Sequence, residues 1–363
     1  MKRPFTRTIA LVVVVLAPAL VAGQPVDRRA TMKVGTVTVT RGQKASGTLE
    51  VPPGSDAATH IPVVVVHGVR PGPALALVAG AHGTEYSSIV ALERMIDQLE
   101  PAQIAGTVII VPLVNLASFE QKVAHVNPVD GKNMNRFYPG NMTGTQTERA
   151  SAVITKEVVE QCDHLIDLHG GDTDESLRPY SYWTVSGNVT QDRVSREMAL
   201  AFGLDHIIIS TDRPKDASAS RYLENTATTR GKPSLTVEAG HAGTVETDDV
   251  SVLISGCVNV MRYLNMMPGG AKFVEHPVWI ERVETLTSEV GGIFYPLVKR
   301  GTYAAQGMTI GYVTDYVGRK ILEARAPGSG VVLYVRAVPS LVKGDTLISV
   351  GVVGSDEKYL TKK

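Results

Sequence analysis

The residues best suited to chemistry in this 363-residue chain lie where apolar runs stop at a polar residue or a glycine, and in one polar stretch. His82 and Glu85 stand in A-H-G-T-E, just after the apolar run Leu75 to Val78. His169 closes H-L-I-D-L-H before Gly170-Gly171, and Glu238 closes S-L-T-V-E before Ala239-Gly240. Asn135 and Arg136 sit in the polar stretch 127–140, NPVDGKNMNRFYPG. A strand that ends in a tight turn and feeds a helix delivers side chains to the carboxyl edge of an open α/β sheet, where ligands bind. Two imidazoles and one carboxylate are ordinary zinc donors, and three such ligands leave a fourth tetrahedral position open. Zinc lowers the pKa of water to about 7, and a carboxylate outside the donor set then handles the proton. This pattern assigns His82, Glu85 and His169 to one zinc ion (Zn2+) and Glu238 to the general base.

Each residue taken singly has a plainer reading. Glu85 at a helix start is favoured by the helix dipole. His169 suits a hydrogen-bonded strand end, and Glu238 suits a cap or an ion pair. His241, past the Gly240 turn, ranks second as a rival ligand. His125, His164 and His206 read as surface or core residues. Asp167 either orients an imidazole or is a polar strand residue. The weight comes from the set, which needs particular elements to bring it together.

Alternation marks strands at 33–39 and 47–51, and the continuous apolar run Ile61 to Val66 reads as a central strand. Gly68 to Pro73 reads as a turn before the strand that leads to His82. A helix over about 87–99 follows, then a buried strand at 107–112. Stretch 127–140 is too rich in Gly, Pro and polar residues for a sheet, and a loop of that length in an α/β unit is usually functional. Helices are expected at 148–162, 191–202, 218–229 and 248–264, and strands at 164–169, 206–210 and 233–240. Strands alternating with helices imply a mixed sheet flanked by helices. Met266 to Gly270 marks a boundary. Residues 276–352 then carry short strands and glycine turns without a convincing helix, a small all-β domain. Its paired halves resemble a barrel-sandwich hybrid of the lipoyl type. The turn Ala326-Pro327-Gly328-Ser329-Gly330 carries no lysine, so neither biotin nor lipoate is expected.

Composition sets the outer bounds. Lys+Arg and Asp+Glu are both 36, so no charge excess points to nucleic acid or an anionic membrane. The two cysteines, Cys162 and Cys257, read as buried free thiols. Lys2, Arg3 and Arg7 precede a short apolar run, Ile9 to Leu16, and then small residues through Gly23, the layout of a secretory signal peptide. Residues 1–23 are therefore expected to be removed, giving a mature periplasmic or secreted protein with no stable membrane anchor. Removal takes away three positive charges and leaves the mature chain three charges negative. The domains expected are a signal peptide at 1–23, an α/β unit at 24–268 and a β unit at 271–363.

The ordered set GAHGTE, NPVDGKNMNRFYPG, DLHGG and VEAG, together with the β-rich C-terminal part, resembles the succinylglutamate desuccinylase/aspartoacylase family over roughly residues 60–350. The resemblance implies a zinc-carboxypeptidase-like mixed sheet with a C-terminal β unit. It implies that His82, Glu85 and His169 hold zinc, that Glu238 is the base, and that Asn135 and Arg136 hold a substrate carboxylate. Arg offers a planar fork suited to such an anion. Where many relatives carry an arginine that polarises the scissile carbonyl, this chain has His125. The implied activity is hydrolysis of an amide in an N-acyl amino acid or a related small carboxylate. The alternative is a carboxypeptidase acting on short peptides or cell-wall fragments.

Overall fold

The computed structural model describes residues 29–360, so the signal-peptide expectation at 1–23 lies outside the described residues. The first part of the chain folds as β1 (Thr31–Val34), β2 (Val37–Thr40), β3 (Gln43–Val51), β4 (Thr59–His67), β5 (Arg70–Ala79), α1 (Tyr86–Gln98), β6 (Ala105–Val111), α2 (Leu116–Gln121) and α3 (Gln146–Ile154). It continues as β7 (His164–His169), β8 (Glu175–Thr184), α4 (Val189–Phe202), β9 (His206–Ser210), α5 (Leu223–Thr228), β10 (Ser234–His241) and α6 (Thr247–Tyr263). The last part is β11 (Val278–Thr287), β12 (Gly292–Pro296), β13 (Tyr303–Ala304), β14 (Thr309–Thr314), β15 (Lys320–Arg325), β16 (Gly330–Arg336), β17 (Ser340–Leu341), β18 (Thr346–Val353) and α7 (Glu357–Leu360). Among the described residues no helix is long and apolar enough to cross a membrane.

Twelve strands form one mixed sheet in the order β13-β16-β18-β11-β9-β8-β10-β7-β5-β6-β4-β3. Its centre, β6-β5-β7-β10, is parallel. Leu75, Leu77, Ile166, Leu168, Leu235 and Val237 point to one face, where α1, α4 and α6 cover them. Ala76, Val78 and Leu165 point to the other, where α3, α5 and the β1-β2 hairpin lie. Parallel strands with both faces covered read as near-continuous apolar runs, which is why this centre is legible in the sequence. Alternation puts Asp167, His169, Thr236 and Glu238 on the second face, opposite Leu168 and Val237.

Three expectations are corrected. The run Ile61 to Val66 belongs to β4, which lies next to the edge strand β3 and not at the centre. It is continuous because Val64 and Val66 enter one core and Ile61, Val63 and Val65 the other. Residues 70–73 are not a turn: β5 begins at Arg70, with a register shift before Ala74 that accommodates Pro71 and Pro73. β8 had no forecast, because Pro179 in its middle argues against a strand. It is nonetheless central, hydrogen-bonded to β10 on one side and to β9 and β16 on the other. The helix expected over 218–229 is shorter, α5 alone, preceded by a 3-10 turn at Ala217–Ala219.

Four strands of the C-terminal segment, β11, β13, β16 and β18, extend the main sheet, and β12, β14, β15 and β17 form a second sheet. Phe294, Ile310, Val313, Val332, Ile348 and Val350 fill the space between them. Because β16 also pairs with β8, the strands β8-β9-β11-β18-β16 close into a ring around Tyr180, Ile208, Ile280, Val331 and Leu333.

Candidate metal centre and cleft

The strand β5 leaves the sheet through Gly80, whose φ of +70° suits glycine, and turns sharply into α1. Glu85 occupies the N-cap of α1, yet its side chain makes no capping bond. Its carboxylate turns inward instead. Oε1 lies 2.6 Å from Nδ1 of His82, and Oε2 lies 3.0 Å from Nδ1 of His169. Oε2 also accepts the Gly170 N–H at 3.1 Å. His169 and Glu238 are paired across β7 and β10, so they reach the same edge side by side. A close backbone approach fixes that edge: a Cβ on Gly171 would lie 2.6 Å from the Gly240 carbonyl carbon.

One donor atom from each of His82, Glu85 and His169 lies within 4.8 Å of the others. Glu85 is 3 % exposed and His169 3 %. A buried carboxylate facing two ring nitrogens, with a second and a third carboxyl in the same cavity, is a donor set that fits a divalent cation. Burial pushes the Glu85 carboxyl up, but the facing His169 and His82 rings outweigh it and hold it far below the usual range. Against burial, Glu85 holds the His82 imidazole above its ordinary range, and Asp167 with Glu85 holds that of His169 well above it.

The long loop orients these ligands. Asn133 Oδ1 accepts the Asn135 N–H at 2.9 Å, which fixes it as the acceptor end of the amide. It therefore accepts from His82 Nε2 at 3.1 Å and leaves Nδ1 to face Glu85. Asn135, 8 % exposed, has both ends of its amide committed within the protein. Oδ1 accepts the Leu223 N–H at 2.9 Å and Nδ2 lies 3.1 Å from His169 Nε2. It thus braces His169 and the loop while also lining the cleft, where the expectation placed it on a substrate carboxylate. Asp167 Oδ2 is 3.3 Å from the same His169 nitrogen. The loop itself is tied to α3: Asp130 accepts the N–H and the hydroxyl of Thr147, and Lys132 pairs with Glu148 at 2.7 Å.

These residues open onto a cleft of about 670 Å³. Its walls include Glu238, Arg136, His125, Glu175, Tyr182 and Tyr222. Arg136 is exposed; its Nη1 donates to the Asn135 carbonyl at 2.7 Å, and its guanidinium lies 4.9 Å from the Tyr222 ring centroid. Burial holds the Glu238 carboxyl well above the usual carboxylate range; His169 opposes this, while Glu85, Glu175 and Asp167 reinforce it. Burial and Glu85 push Glu175 up to about 7. His125 carries a φ of +62° and stands with its ring centroid 6.3 Å from that of His82. Its hydrogen bond to Asp174, with Asp172 and Glu175 nearby, pushes it up to about 9 against burial. His241 is not among the cleft-lining residues.

The sequence reading missed Asn133, Glu175 and Tyr222. Asn133, the first asparagine of N-M-N-R, carried a signal, since an asparagine at a turn start accepts the N–H two residues on. Glu175 went unseen with the whole of β8.

Fold and site together define an α/β protein with a metal-competent His-Glu-His set at the carboxyl edge of its sheet. The chain belongs to the succinylglutamate desuccinylase/aspartoacylase family, whose catalytic-domain model matches residues 71–264. It is 29% identical over 334 residues to the N-alpha-acetyl-L-2,4-diaminobutyric acid deacetylase of Halomonas elongata, covering 89% of this chain and 96% of that one. Its fold is similar to the product-bound ectoine utilization protein EutE (DoeB) of Ruegeria pomeroyi, with a TM-score of 0.79 and 22% identity over 90% of this chain and 100% of that one. The succinylglutamate desuccinylase/aspartoacylase of Rhodobacter sphaeroides is similar too, with a TM-score of 0.76 and 22% identity over 86% and 96% of the two chains.

Proposed function

We propose that this protein is an exported zinc-dependent amidohydrolase that removes the acyl group from an N-acyl amino acid or a related small carboxylate-bearing substrate. The observation that carries the reading is the convergence of His82, Glu85 and His169 in one cleft with Glu238 and Arg136. The likeness to a diaminobutyric acid deacetylase over most of both chains supports the substrate class. The basic and apolar N-terminus supports export to the periplasm or beyond. We also read residues 24–268 as the hydrolase unit and 271–363 as a barrel-sandwich hybrid built onto it.

His82, Glu85 and His169 would hold the zinc. When bound, zinc supplies the Lewis acidity that makes water a nucleophile near neutral pH and polarises a carbonyl. Glu238 takes the proton from the attacking water and passes it to the leaving nitrogen as the C–N bond breaks, giving a carboxylate and an amine. Burial holds the Glu238 carboxyl high, and a cation bound beside it would favour its ionised form, the form a base needs. Arg136, stacked on Tyr222, grips the substrate carboxylate through its free donors. His125, held cationic at the cleft wall, adds positive charge near the scissile carbonyl oxygen.

The test is metal content and turnover of the mature chain against a panel of N-acyl amino acids and short peptides. About one zinc per chain with hydrolysis of the acyl amino acids is expected. Zinc with peptide cleavage alone transfers the reading to a carboxypeptidase, and a chain that binds no offered zinc removes it.

A further inference from the structure

His125 is joined to the C-terminal β segment by a short chain of charged groups. Its Nε2 lies 2.8 Å from Asp174 Oδ1. The other oxygen of Asp174, Oδ2, receives Nη1 of Arg336 at 3.2 Å. Arg336 is the last residue of β16 and is 8 % exposed. Its remaining nitrogens are fixed within the same segment: Nε donates to the Ser340 carbonyl at 2.7 Å and Nη2 pairs with Asp345 at 2.8 Å. Backbone pairing locks the junction, since Arg336 is in register with Glu175, Val335 with Ser176, and the Ala337 N–H donates to the Asp174 carbonyl at 2.8 Å. On the near side, Asp172 accepts the His125 backbone N–H at 2.8 Å and is itself held by the Thr84 hydroxyl.

We propose that Arg336 is a positioning residue of the catalytic cleft: through Asp174 it fixes the imidazole of His125 at the cleft wall, so that the C-terminal β segment completes the site. This rests on the hydrolase reading above. The geometry argues for it over a purely structural ion pair. Asp174 divides its two oxygens between Arg336 and His125, and a carboxylate gripped on one side cannot rotate away from the other. His125 needs such a grip, because its backbone sits in the left-handed region, where a non-glycine residue is strained. The imidazole is about 40% accessible and is held from two sides, with Nδ1 3.1 Å from Asp172 Oδ2 and Nε2 on Asp174, so loss of the Asp174 side frees it to turn about the Asp172 contact.

The experiment is a double-variant cycle on the full mature chain loaded with zinc. His125→Ala is expected to lower kcat by about 100-fold, the scale of one lost oxyanion-stabilising group. Arg336→Gln is expected to lower kcat about tenfold through misplacement, with KM and zinc content unchanged. In the His125→Ala background, Arg336→Gln is expected to change kcat by less than about twofold, because coupled residues are not additive. Asp174→Asn, which leaves the arginine in place, is the companion variant and follows the same pattern. Alongside, the ring 15N–1H signals of His125 are followed in wild type and Arg336→Gln, with His164 and His206 as internal controls. The His125 signals alone are expected to move. Losses that multiply across the cycle, or unmoved His125 signals, overturn the proposal. If the wild type hydrolyses nothing, the functional reading falls, and the ring signals alone decide the positioning.

Discussion

Replacing Asn133 with alanine is the most informative perturbation of the cleft, because two separable losses follow from one amide. The first is local. Asn133 caps the turn Met134–Arg136 by accepting the Asn135 N–H, and loss of such a cap costs about 1 kcal/mol. That loss appears in metal-free protein as a fall of a few degrees in Tm. The second concerns the metal. His82 Nε2 loses its acceptor at 3.1 Å, so its ring orientation and tautomer are no longer set. Removal of such an orienting group typically lowers metal affinity by about 10- to 100-fold, or about 1.4–2.8 kcal/mol. The assay is competition for zinc with a chromophoric chelator at fixed pH. Asn133→Asp keeps an acceptor at the same place and is expected to bind zinc within about threefold of wild type, because an ionised acceptor is at least as strong as a neutral one. An Asn133→Ala protein that is destabilised yet binds zinc as tightly as wild type would refute the orienting role given to Asn133 at His82.

Further outcomes are expected. Glu238→Gln should retain zinc and lose about 10²–10⁴ in kcat, checked by metal analysis and steady-state kinetics; full turnover would remove it from the mechanism. Arg136→Met should raise KM for carboxylate-bearing substrates by about 10- to 100-fold, and leave neutral amide-capped analogues unaffected. His125 is held above its ordinary range at about 9, so its ion pairs stabilise the fold fully below pH 6.5. That contribution is lost as pH rises through about 9. Urea midpoints of metal-free wild type and His125→Gln should therefore converge between pH 6.5 and 10, and a gap that widens with pH would contradict the assignment. Gly171→Ala should unfold or strongly destabilise the chain in thermal scans, since its Cβ would enter the backbone of Gly240.

The parallel centre of the sheet was legible because covered strands are apolar throughout and stop at the residues that do chemistry. The site residues were legible for the same reason: His82 and Glu85 follow β5, while His169 and Glu238 lie in the C-terminal halves of β7 and β10. β8 was hidden because Pro179, with no N–H to donate, interrupts it, and Glu175 was hidden with it. Asn135 illustrates a different limit. The resemblance paired it with Arg136 on one ligand; both line the cleft, but Asn135 is buried with its amide hydrogen-bonded inside the protein while Arg136 is exposed. Sequence proximity does not fix direction in a loop, where no period orients the side chains.

The closed ring of β8, β9, β11, β18 and β16 bears on how the cleft adjusts to a bound molecule. Arg282 and Val283, on β11, stand at its rim, and β11 is paired along its length with β18 and at its start with β9. A ring without free edges cannot swing open as a flap, because parting any one seam breaks a ladder of backbone bonds. The wall that β11 gives the cleft is therefore fixed in its backbone, and only side chains such as the exposed Arg282 can move there. Any adjustment of the cleft to a bound molecule thus falls to its other walls, the segment 210–212 at the end of β9 and the loop that carries Asn133 and Arg136.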